Sequence, residues 1–175
     1  QYSTVEWRKG HVETITGQKD DFTLLLASQQ GVNERIYARR IILAAGVGDR
    51  LPNMPGIAEL WGTRVFHCPY CHGFDLNGGR IGVLASSDFA MADGRMFSLA
   101  GLFIVTETDP SQLAIRLGCE LEVTPLGLVV KINASKATSV PGVFACGDIA
   151  RPVGNVSLAV SDGALAGQAA HHSLV

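Results

Sequence analysis

Two apolar runs that end in glycine set the fold of this chain. Ile41-Ile42-Leu43-Ala44-Ala45 leads into Gly46-Val47-Gly48, and Val143-Phe144-Ala145-Cys146 leads into Gly147-Asp148. Short continuous apolar runs suit strands buried on both faces, the habit of parallel sheets in α/β proteins. Glycine at the carboxyl end lets the backbone turn sharply and come close to a ligand. A helix rich in Gly and Ala is predicted from about Ser157 to His171, just after the second run. Asp148 at a strand end, near a helix N-terminus, suits the hydroxyls of a nucleotide-type ligand. A Gly-Asp pair is equally a common turn. Gly46-Val47-Gly48 begins like a G-x-G-x-x-G loop, but Leu51 holds the third position, so no phosphate loop is expected there.

The amino-terminal segment alternates in the β manner. Strands are predicted at Ser3–Trp7, Gly10–Ile15, Phe22–Ala27, Arg35–Ala38 and Arg40–Ala45. Gln18-Lys19-Asp20-Asp21 and Gln29-Gln30-Gly31-Val32-Asn33 supply two turns. Asp49–Gly56, with Pro52 and Pro55, is an extended linker and a domain boundary. After the Asn77-Gly78-Gly79 turn, Ile81–Ala85 opens a second α/β unit. Asp88–Arg95 follows at once and has the pattern of a hairpin, with Met91 and Met96 as packing or hairpin residues. Leu102–Thr106 is a strand, Pro110–Leu117 a short helix ended by Gly118, and Glu120–Val123 with Leu128–Ile132 a hairpin.

The chemistry concentrates in His67-Cys68-Pro69-Tyr70-Cys71-His72. Two intervening residues let the sulfurs approach bonding distance if the run opens a helix. Pro69 presets φ for a first helical turn. At a helix start the first thiolate is stabilised by free N–H groups and the dipole, so the pair suits cycling between dithiol and disulfide. Three alternatives remain open on the residues. Cys68–His72 matches the C-x-x-C-H haem attachment pattern, which is used outside the cytoplasm, whereas Gln1–Glu6 has no signal-peptide character. His67, Cys68, Cys71 and His72 form a crowded zinc set with no second Cys-x-x-Cys. The pair is otherwise two buried structural thiols. Cys119 and Cys146 sit in apolar surroundings expected of core thiols, and His171-His172 point apart on a helix.

Charge excludes some classes. The net charge is −2, with no basic run, so no nucleic-acid partner is expected. No apolar stretch reaches membrane-spanning length, and four Cys do not make a secreted disulfide scaffold. The cytoplasm is the expected location.

Val140–Ala150 resembles the second flavin-binding signature of the pyridine nucleotide–disulfide oxidoreductases. The Cys-x-x-Cys run followed by Gly73-Phe74-Asp75 is similar to the thioredoxin reductase branch, and Ile41–Gly46 to the strand and turn closing the first flavin segment. The resemblance implies an incomplete three-layer, Rossmann-like α/β FAD/NAD(P)-binding fold with a β-rich insert. It implies a discontinuous FAD-binding domain, residues 1–50 and 105–175, around a remnant of the NADPH-binding and redox-disulfide domain, residues 51–104. By the same resemblance Asp148, beside Gly147, bonds the ribityl or phosphate part of FAD. The backbone at Leu158 and Ala159 faces the flavin's pyrimidine edge, Val12 lies near the adenine, and Ala45 and Gly46 line the site. Cys71 lies nearer the isoalloxazine, while Cys68 attacks the substrate.

The implied activity passes electrons from NADPH through FAD and the Cys68–Cys71 pair to a disulfide, on a thioredoxin-like protein or a small molecule, in a homodimer. Departures from the family pattern open other readings. The amino-terminal glycine loop and most of the NADPH site are missing, by deletion or because the chain is part of a longer one. His72 replaces an acidic residue, and Leu84-Ala85-Ser86-Ser87 stands where a nicotinamide site wants Gly. His72 suits proton transfer and resembles flavin dithiol oxidases that use oxygen. A truncated, non-catalytic member is the third reading.

Overall fold

A computed structural model of the chain describes residues 3–27, 33–84 and 98–175. In chain order its elements are β1 (His11–Gln18), β2 (Asp21–Ala27), β3 (Asn33–Ala38), β4 (Ile41–Leu43), β5 (Val47–Arg50), α1 (Ile57–Leu60), β6 (Val65–Phe66) and α2 (Pro69–His72). They continue with β7 (Ile81–Leu84), β8 (Gly101–Ile104), β9 (Glu107–Pro110), α3 (Gln112–Arg116), β10 (Leu121–Thr124), β11 (Gly127–Val130), β12 (Val143–Ala145) and α4 (Val156–His172). The chain divides into two compact units, Gln1–Gly48 with Asp109–Val175, and Asp49–Thr108.

The first unit is built in layers around a parallel pair. β4 and β12 align Ile41 with Val143, Ile42 with Phe144 and Leu43 with Ala145. Side chains alternate across a strand, so Ile41, Leu43, Val143 and Ala145 face one way, into a core with Phe22, Ala114, Cys119, Val130 and Ile149. Phe144 and Cys146 face the other way and pack on Ala166 and Ala170 of α4. β1, β2 and β3 form an antiparallel meander whose Phe22, Ile15 and Leu24 join the first core. This is the layered α/β architecture expected from the two glycine-ended runs.

Arg40 locks the end of α4 to the meander. Its side chain is only 6% exposed. The guanidinium donates to Ser173 Oγ at 2.6 Å, to Asp20 Oδ1 at 2.6 Å, to the Arg39 carbonyl at 2.6 Å, and to the Ser173 carbonyl. Ser173 is the C-cap of α4, so one cation satisfies orphan groups of the helix end and complements its dipole.

The second unit holds a three-stranded sheet ordered β6-β8-β7, with both pairs parallel. Val65 and Ile104 meet Ile57 on one face, while Phe66 and Phe103 turn to the other with ring centroids 6.0 Å apart.

Three local expectations are corrected. Ser3–Trp7 forms no strand; these residues are exposed, and no described strand pairs with them. The linker expected from Asp49 begins instead as the end of β5, because the strand gains a partner in the sheet ordered β10-β11-β9-β5. The helix expected from Pro110 starts two residues later. Pro110 closes β9, and Ser111 caps α3 by accepting the Leu113 N–H at 3.3 Å. The expected hairpin at Asp88–Arg95, Met91, Met96 and Ser86-Ser87 lie outside the described residues, as does most of the Gln29–Asn33 turn.

Candidate redox and flavin site

In the second unit, the Cys-x-x-Cys run forms the expected helix start. Cys68 is extended, at φ −111°, and serves as N-cap, with Pro69 in the first turn of α2. The Cys71 N–H is shared between Cys68 Sγ and the Cys68 carbonyl, each at 3.2 Å, and the carbonyl also accepts the His72 N–H at 3.3 Å. Cys68 and Cys71 are joined as a disulfide, Cα atoms 5.3 Å apart. The helix is one turn of four residues. The stabilising group at sulfur is therefore one N–H that the sulfur shares with a carbonyl, rather than the dipole of a long helix. Cys71 is exposed and Cys68 half-buried, so the pair is not two buried structural thiols. Tyr70 and Phe74 stand beside it, 98% and 96% exposed.

His72 turns inward. Its ring stacks on Phe66, centroids 4.4 Å apart and planes 16° from parallel. His72 Nδ1 is buried without a hydrogen-bond partner. His67 lies elsewhere, stacked on Trp61 at 6.0 Å. Among the described residues, no three His, Cys, Asp or Glu side chains gather as a metal set.

In the first unit, β4 and β12 end at the same edge. Gly46 follows β4 at φ +68°, and Gly147 follows β12 at φ +74°, a backbone region L side chains rarely occupy. Gly147–Ala150 is a 3₁₀ turn that carries Asp148. Asp148 Oδ1 is buried and has no hydrogen-bond partner. Asn155 caps α4, its side chain accepting the Leu158 N–H at 2.9 Å and its carbonyl the Ala159 N–H at 2.9 Å. Ala159 packs beside Gly147, its Cβ 3.5 Å from where a Gly147 Cβ would stand. Ala45, Gly46, Gly147, Asp148, Leu158 and Ala159 therefore belong to one end of the parallel pair and the start of α4. Val12 belongs to β1 instead, opposite Leu26 beside a register shift.

Sequence reasoning missed four residues here. Gly154 passes so close to Asp148 that a Cβ would fall on its carboxylate. Asp162, on α4, is fully buried and pairs with Lys136 Nζ at 2.7 Å and with Arg151, whose second contact is 2.8 Å. A lone carboxylate in a helix of Gly, Ala and Val was the available signal. Lys136 and Arg151 come from distant segments and gave none.

The Arg151 guanidinium, with Lys136 alongside, holds the Asp162 carboxyl far below the usual carboxylate range. Because an unfolded Asp titrates near about 3.9, the stability this group contributes is complete above that pH and is lost as pH falls below it. Arg40 lowers Asp20 in the same sense. Thermal melts from about pH 6 to about pH 3 should fall more steeply for the parent chain than for Asp162→Asn. Equal slopes would remove Asp162 from acid denaturation. Burial pushes the Cys119 and Cys146 thiols up, consistent with inert core groups.

No protein-family model matches the chain. A solved oxidoreductase from Agrobacterium tumefaciens is 35% identical with a TM-score of 0.85, covering 99% of this chain and 76% of that one. Thioredoxin reductase tcpT of Claviceps purpurea (strain 20.1) is 39% identical over 74 residues, 42% of this chain and 23% of that protein. Thioredoxin reductase sirT of Leptosphaeria maculans is 50% identical over 40 residues, 23% of this chain and 12% of that protein. The chain thus matches less than a quarter of the length of these two curated relatives. The solved oxidoreductase shares its α/β fold with nearly the whole of this chain, the parallel pair and the Cys-x-x-Cys segment included, so the class of protein is an oxidoreductase. The chain belongs to the thioredoxin reductase-like pyridine nucleotide–disulfide oxidoreductases.

FAD fits the first unit at one point that can be tested on the structure. A buried acceptor with no donor, Asp148 Oδ1, matches a ligand that brings hydroxyl groups. Gly154→Ala would press on that carboxylate, the movable end of a side chain, so the fold should tolerate it while Asp148 is turned aside. The expected result is a melting temperature within about 3 °C of the parent, with FAD affinity reduced about tenfold by fluorescence titration. Unchanged affinity would take Asp148 out of the ligand site.

Proposed function

We propose that this chain is the redox part of an FAD-dependent thiol–disulfide oxidoreductase. The single observation that carries the reading is the Cys68–Cys71 disulfide at an exposed helix start, with Cys68 Sγ accepting the Cys71 N–H. Once the pair is reduced, that N–H favours the charged form of the Cys68 sulfur. The thiolate attacks one sulfur of a substrate disulfide, forming a mixed disulfide and expelling the other sulfur as a thiolate. Cys71 then attacks Cys68, restoring the Cys68–Cys71 bond and releasing the second substrate thiol. Two electrons and two protons pass to the substrate. Asp148, Gly147, Gly46 and the start of α4 would hold FAD, which supplies two-electron exchange between a nicotinamide and the dithiol. NADPH as reductant, a thioredoxin-like or small disulfide as substrate, and a homodimer in the cytoplasm complete the proposal by family likeness.

His72 supports a second reading, a dithiol oxidase that returns electrons to oxygen. It follows Cys71 directly in the chain, and its buried Nδ1 has no hydrogen-bond partner, so it is free to bind a proton. Anaerobic titration of the FAD-loaded chain separates the readings. Flavin bleaching by NADPH, followed by reduction of a model disulfide, supports the reductase. Bleaching by a dithiol alone, reversed by oxygen with no NADPH, replaces it with the oxidase. A chain that neither binds FAD nor turns over either substrate is a non-catalytic member of the family.

A further inference from the structure

We infer that Asp162 is a positioning residue whose buried ion cluster sets the aim of the Gly147–Asp148 turn, an inference whose functional meaning rests on the flavin reading above. The Asp162 side chain is 0% exposed, although α4 is otherwise lined there with Gly and Ala. Burying a carboxylate with two cations carries a desolvation cost that a well-packed apolar residue would avoid. Core stability alone therefore does not account for it.

The two cations bracket the turn. Lys136 stands before it, and its carbonyl accepts the Ala145 N–H at 3.0 Å, two residues ahead of Gly147. Arg151 stands directly after it, and its N–H donates to the Asp148 carbonyl at 3.3 Å. One carboxylate thus ties both the entry and the exit of the turn to α4. Lys136 is held at φ +62°, unusual for a residue with a side chain, within a turn in which Asn133 Oδ1 accepts the Ser135 and Ala137 N–H groups at 2.9 and 3.0 Å. The tied turn starts at Gly147, at φ +74°, and Gly154 lies just beyond it. An outside tie is what such a turn needs to keep one Asp148 oxygen aimed at a ligand.

Two variants of the full chain test this, Asp162→Asn and the milder Arg151→Gln. The expected signature is local. Amide hydrogen exchange at Ile149–Arg151 should accelerate at least about tenfold relative to Val143–Ala145 in both variants. FAD affinity should fall about tenfold in both, with Arg151→Lys recovering part of it. Exchange that rises equally in β12 and in the turn, or does not rise in Arg151→Gln, overturns the inference and leaves an ordinary core ion pair. A parent chain that does not bind FAD would defeat the flavin reading, while the exchange pattern still decides whether Asp162 positions the turn.

Discussion

Cys68→Ser is expected to reduce disulfide exchange to background, and Cys71→Ser to stop it after a single half-reaction with the substrate retained as a mixed disulfide. The two outcomes differ because the sulfurs differ. Cys68 Sγ accepts the Cys71 N–H, whereas Cys71 is the more exposed of the two. Hydrogen bonding selects Cys68 as the attacking group, and accessibility alone would select Cys71. The Cys71 N–H is a backbone group and survives in Cys71→Ser, so Cys68 should keep its activation there. Mass spectrometry of each variant with a model disulfide reads the result directly. A trapped adduct on Cys68 in Cys71→Ser, with none above background on Cys71 in Cys68→Ser, is the expected pattern. The reverse order would exchange the two roles.

Arg40→Ala should be the most damaging single change in the first unit away from the parallel core. It removes a nearly buried cation that bonds Ser173 twice, Asp20 once and the Arg39 carbonyl once. The orphaned groups remain at the C-cap of α4 and in the turn between β1 and β2. Net of water, a hydrogen bond to a charged group contributes about 1.5–3 kcal/mol, and the half-exposed Asp20 adds little, so the expected loss is about 3 kcal/mol. That corresponds to a fall in melting temperature of roughly 6–12 °C for a chain of this size. Arg40→Lys should recover little, because an ammonium cannot reproduce the planar fork that reaches Ser173 and Asp20 together. Calorimetry on both variants checks this. A loss below about 1 kcal/mol would show that water replaces the guanidinium at no great cost.

What the sequence disclosed follows the range of the interactions. β12 was legible because its continuous apolar run is buried on both faces, whereas the run at β4 forms a strand only over Ile41–Leu43 and leaves Ile42, Ala44 and Ala45 exposed. The Cys68 helix start was legible because Pro69 restricts its own backbone. Ser3–Trp7 alternates as a strand should, yet alternation states only what a strand would do with a partner. β5 is the converse case: Val-Gly-Asp-Arg has weak strand preference and gains its structure from pairing. At the site, Asp148 and the cysteines were visible as motifs. The stacking of His72 on Phe66 and the Lys136–Asp162–Arg151 cluster were not, because each joins residues with no local signal for one another.

The pairing of β4 with β12 also bears on how the chain acquires its shape. Ile41 lies beside Val143, so about a hundred residues must be synthesised between partners whose backbone bonds make the central layer. The unit formed by Asp49–Thr108 is contained wholly within that interval and can close on local contacts. On a ribosome the redox helix would thus be assembled while β4 still waits, apolar and without its partner β12. The waiting strand is where a chaperone or a stray β edge would engage the nascent chain.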